Sequence, residues 1–226
     1  MRRGVAREGV DMKVLARSLV VIFVVLIAVP ALAVTYTLTT TVQLLATTAL
    51  IMGGTEHPLS TPPDTIDFVE DYLAAAEDNY IDPDQNEDLN SVAVIYPAEF
   101  FPVFGSTTFD DSVQAGRENL NTCLRDPGNC DFNENAGIDD SDPPATGDTF
   151  KVLGYSQSAV VASLVKQDLI DNPPAQPINA EFFVIANPMR KNGGILARGF
   201  EGQTIPGLGI TFHGGTPTNS PVVDPG

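Results

Sequence analysis

The sequence predicts an α/β fold, a mostly parallel sheet with flanking helices, on three observations. Runs at 49–52, 91–96, 150–153 and 181–186 are short and mostly apolar rather than strictly alternating, as strands buried on both faces are. Segments with helical spacing or long loops separate them, which implies βαβ units. The chain has 226 residues, 43% of them hydrophobic, enough for one sizeable domain.

The elements follow in chain order. Arg2, Arg3, Arg7, Lys13 and Arg17 form a basic lead, Leu19 to Val29 is apolar throughout, and Ala31-Leu-Ala33 follows Pro30. The run is too short to span a bilayer, so residues 1–33 read as a signal peptide, with an uncleaved N-terminal anchor as the alternative. Residues 34–48, rich in Thr, Val and Leu, form a lead-in segment or an edge strand. Ala49-Leu-Ile-Met52 is the first buried strand and ends in the turn Gly53-Gly54-Thr55. Thr61-Pro62-Pro63-Asp64 is expected to open a helix, with Thr61 as cap and Pro62 in the first turn. Ile66, Val69, Leu73 and Ala76 make its apolar stripe, and 77–90 is an acidic loop.

Ser91 to Pro97 is the second strand, followed by the apolar loop Phe100, Phe101, Pro102 and Phe104. Residues 108–124 read as a helix with Val113, Leu120 and Leu124 inward. Residues 126–148 form a second acidic loop. Within it Asp131, Asn133, Asn135, Asp139 and Asp142 alternate like calcium ligands, but glycine falls at Gly137, one place late, so a solvated loop is the better reading and no metal is expected. Pro173, Pro174 and Pro177 end the helix that follows the third strand, and 181–186 is the fourth strand. Residues 189–226 are rich in Gly and Pro, with one hairpin around 204–211.

The chemistry concentrates at the third strand. Phe150, Val152 and Leu153 are followed by Gly154-Tyr-Ser156-Gln-Ser158, and then by Val161, Leu164, Val165 and Leu169 at helical spacing. A serine at a sharp strand-to-helix turn is the nucleophile turn of the α/β-hydrolase architecture, where small neighbours are required and the helix N-terminus presents free N–H groups. Ser156 is the candidate nucleophile; an ordinary turn with Ser156 as helix cap is the alternative. The oxyanion site is expected from the N–H of Gln157 and that of Gly54 or Thr55. Of the two histidines, His57 precedes the serine and reads as structural or as a pocket wall. His213 has the right order for a base, with Glu201 the least remote acid, because Asp168 and Asp171 lie toward the far end of the helix.

Charge and cysteines bound the partners. The net charge is −17, and residues 34–226 keep only 7 basic against 27 acidic residues. Such a surface repels nucleic acid and anionic membranes. It suits an exported protein with a neutral or apolar ligand, touching a membrane only through residues 1–33 if these are uncleaved. Cys123 and Cys130 flank a turn-like stretch and are expected to form a local disulfide, which export permits. Nothing in the sequence calls for a cofactor.

Four ordered motifs carry a resemblance. Ala49-Leu-Ile-Met-Gly-Gly-Thr, Tyr96-Pro-Ala-Glu-Phe, Gly154-Tyr-Ser-Gln-Ser, and the tail Asn192-Gly-Gly-Ile-Leu-Ala-Arg with Thr204-Ile-Pro-Gly-Leu-Gly-Ile-Thr-Phe resemble the mycobacterial PE-PPE domain over about residues 48–218. The resemblance implies a cutinase-like α/β-hydrolase fold over 49–218 with a tail at 219–226, and serine esterase activity on acyl esters or lipids. It carries the nucleophile onto Ser156. The family's acid and histidine lie beyond its Thr-Phe-x-Gly-x-Thr-Pro segment, and asparagine usually stands where this chain has His213. The resemblance therefore implies a fold incomplete at its C-terminus, with a signal peptide where the family carries a PE or PPE leader. Two readings result: a secreted or cell-envelope serine hydrolase, and a hydrolase-like envelope protein that binds lipid or a partner without catalysis.

Overall fold

The computed structural model describes residues 46–137 and 142–218. The signal segment 1–33, nearly all of the lead-in and the tail 219–226 lie outside the described residues, as does Asp139 of the acidic loop. Among the described residues no helix is long and apolar enough to cross a membrane.

Four parallel strands form the sheet: β1 (Thr47–Met52), β2 (Leu89–Ala93), β3 (Thr149–Tyr155) and β4 (Ala180–Ile185), in the order β2-β1-β3-β4. Three helices flank it: α1 (Ile66–Ala76), α2 (Phe109–Arg125) and α3 (Gln157–Asp171). A small antiparallel hairpin, β5 (Thr204–Ile205) with β6 (Ile210–Thr211), lies in the Gly/Pro-rich region.

The sheet is apolar on both faces because alternate side chains enter different cores. Leu50 and Met52 of β1, Val92 of β2, and Phe150 and Val152 of β3 pack with Val113, Leu120, Val161 and Val165 from α2 and α3. Ala49, Ile51, Ala93 and Leu153 point the other way and pack with Val69, Leu73 and Ala76 of α1. A mostly apolar run is thus what a strand between two helical layers needs, and the one buried lysine of β3, Lys151, pairs its ammonium with Glu87. On the α2/α3 side, Arg117 makes a two-pronged ion pair with Asp168, and Asn121 donates to the same carboxylate at 2.8 Å.

Several boundaries differ from the expected ones. Strand β1 starts two residues earlier, at Thr47, whose register partners are Leu89 and Thr149. Helix α1 starts after the prolines rather than at them. Asp64 folds back to accept from Leu59 N–H at 2.9 Å and to bond His57 Nδ1 at 3.1 Å, and Thr65 caps the helix by accepting from Phe68 N–H. The acidic loop holds a π-helical turn at Glu77–Ile81. Strand β2 stops at Ala93, so Ile95 is half-buried and outside the sheet. From Val94 the chain turns to pair with the 131–132 segment, through a Val94–Phe132 bridge and an Ile95 N–H bond to Asp131 O at 3.1 Å.

The second acidic loop is tied down at one end. Asn133 is buried, donates to Leu59 O at 2.8 Å and accepts from Asn135 N–H at 3.0 Å, so its amide is spent on the fold. Among the described residues no group of three or more His, Cys, Asp or Glu converges on a metal-sized site. Cys123 and Cys130 are joined by a disulfide that fastens the end of α2 to the loop after it.

Candidate active site

Ser156 stands at the carboxyl end of β3, where the strand turns into α3. Its backbone has φ 55° and ψ −109°, a conformation that costs a non-glycine residue energy and persists only where its surroundings impose it. Three constraints impose it here. Ser156 N–H donates to Ile185 O on β4 at 3.0 Å, which keeps the chain in sheet register up to the turn. Ser158 Oγ accepts from Tyr155 N–H at 2.8 Å and lies 3.0 Å from Met52 O, so it bolts the turn to β1. At Gly154 a Cβ would stand 2.4 Å from Ser158 O and 2.9 Å from Ala159 Cα. The need for a small residue before the serine thus comes from the backbone of the first helical turn, not from facing side chains.

The glycine turn after β1 lies against this serine. A Cβ at Gly54 would come within 2.9 Å of the Tyr155 ring and 3.5 Å of Ser156 Cβ, so any other residue would have to push the Tyr155 ring aside. His57 N–H closes the turn on Gly54 O at 3.1 Å, and the buried Tyr96 hydroxyl donates to Gly53 O at 2.8 Å. Burial pushes the Tyr96 phenol well above its ordinary pKa, so it remains a neutral donor. The Gln157 N–H is the first of α3 and has no intrahelical acceptor. Gln157, Gly54 and Thr55 therefore belong to two loops that meet beside Ser156.

The Gln157 side chain has a role that the sequence reading missed. It is buried, donates through Nε2 to Glu99 O at 2.7 Å and accepts through Oε1 from Ser112 Oγ at 3.3 Å. Ser112 Oγ in turn accepts from Glu99 N–H at 3.0 Å. The residue after the serine thereby fixes the loop after β2. Only its place behind the serine was visible in the sequence; a buried glutamine amide needs partners, and these are more than forty residues away.

The two histidines have other neighbours. His57 bonds Asp64, stacks on Phe68 with ring centroids 4.5 Å apart, and remains partly exposed. His213 follows β6, with Nε2 4.0 Å from Asp110 Oδ1 on the first turn of α2 and no hydrogen-bond partner among the described residues. Burial lowers its pKa, against the opposing pull of Asp110. Glu201 also lies near this segment, its carboxylate facing Gly214. Among the described residues no hydrogen bond joins Ser156 Oγ to either histidine.

Among the described residues, cavities open at the carboxyl edge of the sheet, and two of them are lined mainly by apolar groups. One, of about 620 Å³, lies by β2 and is lined by Pro58, Tyr96, Pro97, Glu99 and Phe104 among others. The second, of about 380 Å³, lies between β3, β4 and α1, lined by Tyr72, Tyr80, Leu153, Tyr155 and Ile185. Both suit apolar groups more than charged ones.

Comparison with known proteins agrees with this architecture. The family model described as the PE-PPE domain matches residues 87–223. A protein named Esterase PE16 of Mycobacterium tuberculosis (strain ATCC 25618 / H37Rv) is 35% identical over 175 residues, covering 75% of this chain and 28% of that protein. From the same organism, PE family protein PE3 is 33% identical over 177 residues, 77% of this chain and 32% of its own length. The Uncharacterized PPE family protein PPE28 is 31% identical over 176 residues, 76% and 23% respectively. The chain thus spans 23–32% of the length of these curated relatives.

Proposed function

The chain belongs to the PE-PPE domain family, and from that premise we propose that it is an exported serine hydrolase acting on carboxylic esters of acyl or lipid type, with Ser156 as nucleophile. The observation that carries the reading is the strained Ser156 backbone at the β3–α3 turn, with Gly54 in contact beside it. In this reading Ser156 Oγ attacks the ester carbonyl. The carbonyl oxygen becomes an oxyanion held by the Gln157 N–H and by that of Gly54 or Thr55. The alcohol leaves with a proton, and water releases the acid from the acyl-serine. The esterase name of one relative, whose matched region covers most of this chain, supports the reaction class. Export is supported by the disulfide between Cys123 and Cys130 and by the apolar, basic-led sequence of residues 1–33.

One observation favours a second reading, a lipid-binding protein of the same fold. No histidine bonds Ser156 among the described residues, and a serine without its base retains only about 10³–10⁴-fold rate over water. A fluorophosphonate probe separates the two. Adduct formation on the Ser156 peptide, absent in Ser156→Ala, supports the hydrolase; an unlabelled Ser156 in folded protein leaves the binding reading standing.

A further inference from the structure

The loop after β2 is built to keep apolar side chains in water. Residues 100–109, Phe-Phe-Pro-Val-Phe-Gly-Ser-Thr-Thr-Phe, carry no charge in a chain whose net charge is −17. Phe101 is 45% and Val103 70% exposed, with Pro102 between them. Large apolar groups exposed next to one another on a fixed loop mark a contact surface more often than chance.

The exposure is fixed by the fold. Phe100 N–H and Phe104 N–H each bond the other's carbonyl, at 2.8 and 2.9 Å, and Phe101 N–H bonds Thr107 O at 2.9 Å. Glu99 closes the loop from inside, its carboxylate accepting from the N–H groups of Ser106 and Thr107. Hydrogen bonds from Thr107 and then Ser106 hold that carboxyl below its ordinary pKa, so the clasp stays ionised. Phe100 packs inward, edge-on to Phe109 at 5.4 Å between centroids. One aromatic anchors the loop while its neighbour is held outward.

The loop is also coupled to the nucleophile. Gln157, the residue after Ser156, donates to Glu99 O at 2.7 Å, so the base of the loop and the serine turn form one hydrogen-bonded unit. We propose that the Phe101-Pro102-Val103 tip inserts into a neutral or zwitterionic lipid surface and sets the Ser156 turn against it. The charge decides the kind of surface. An acidic protein is repelled by anionic headgroups, whereas an uncharged apolar tip gains by leaving water at an interface without net charge. The purpose of this contact, delivery of a lipid ester, rests on the hydrolase reading; the contact itself does not. It adds a second lipid-facing element to the one expected from residues 1–33.

The test uses the full chain carrying Val103→Cys labelled with an environment-sensitive fluorophore, the two native cysteines being held in their disulfide. With phosphatidylcholine vesicles the emission should rise and shift to the blue, and a bilayer-embedded quencher should remove it. Phe101→Asp in the same labelled chain should abolish the shift. Vesicles with added phosphatidylglycerol should give a weaker response than phosphatidylcholine alone. A fluorophore on Asn172→Cys, at the opposite end of α3, should not respond. In Ser156→Ala the Val103 signal should persist, which separates this proposal from the fate of the nucleophile. A silent Val103 probe overturns the proposal. So does an equal response at Asn172, a stronger response to the anionic vesicles, or a blue shift that grows with protein concentration without lipid, which would mark the tip as a contact between copies of this chain.

Discussion

Ser156 and His213 both sit in short loops with small neighbours, yet they are held in opposite ways. The Ser156 turn is fixed by what lies within two residues of it: Gly154, whose missing side chain admits Ser158 O, and Ser158, whose hydroxyl takes the Tyr155 N–H. From farther along the chain it draws on carbonyls of the adjacent strands, Met52 O and Ile185 O. His213 has no such local frame. Its segment is placed by Asp110, whose carboxylate takes the Thr211 N–H at 2.9 Å and the Thr211 hydroxyl at 2.7 Å, and by Thr216 N–H bonding Met189 O at 2.9 Å. The sharp turn at Ser156 is therefore a local feature that a pentapeptide can specify. A base must be delivered by long-range packing, and here that packing delivers His213 to Asp110.

The largest effect expected of any substitution is at Ser156 itself. Ser156→Ala should abolish fluorophosphonate labelling and any ester turnover while leaving the melting temperature within a few degrees, since the hydroxyl has no hydrogen-bond partner among the described residues. Loss of labelling together with loss of fold would break the comparison by making the serine structural. Next is Gly154→Ala. Its new methyl would overlap Ser158 O, and overpacking against backbone costs about 1–3 kcal/mol or more. Chemical denaturation should show that loss, and labelling should fall even in the fraction that remains folded. A neutral result would mean that the turn is not as locally determined as the contact at 2.4 Å implies.

Ser158→Ala should be milder. It removes the part-buried bond from Tyr155 N–H and the bond to Met52 O, and the net loss of one such hydrogen bond costs about 0.5–1.5 kcal/mol. Ser158→Gly should behave in the same way, because the hydroxyl rather than the size is what matters. Unfolding midpoints of the two variants that differ widely would show instead that volume dominates.

The smallest effect is at His213, and it sharpens the other half of the comparison. His213→Asn should leave Ser156 labelling unchanged, whereas a tenfold drop would place the histidine in the reaction. Its folded-state pKa is lowered, first by burial, with Asp110 pulling the other way. The neutral ring is thus the form that folding favours. The stability this contributes is present above the unfolded value of about 6.5 and is lost as the pH falls through the lower folded value. As the pH falls from 7 the melting temperature of the wild type should therefore fall more than that of His213→Asn.

Much of this was legible in the residues. The four apolar runs mark the strands because a strand between two helical layers tolerates a polar side chain only where it finds a partner, as Lys151 does in Glu87. Gly154-x-Ser156-x-Ser158 marks the turn because its constraints are short-range. Thr108 and the stripe Val113, Leu120 and Leu124 mark α2 for the same reason. The start of α1 was misread at Thr61 because a capping threonine and a first-turn proline fit that position equally well. The competition was decided by Asp64, whose carboxylate is taken by Leu59 and His57. Strand β2 was read too long because Val94 and Ile95 look like strand residues, and they do pair, but with 131–132.

By itself, then, the sequence determined the class of fold, the strand-to-helix turn at Ser156 and the family, since each rests on periodicity or on contacts between near neighbours. The order β2-β1-β3-β4 was decided only in the tertiary structure, because parallel strands with apolar faces carry no mark of which neighbour they pair with. So was the tie from Gln157 to Glu99, and with it the position of the exposed Phe101 tip. So too was the placement of His213 against Asp110, more than a hundred residues away in the chain. In each case the deciding bond joins groups that only the packed core brings within reach.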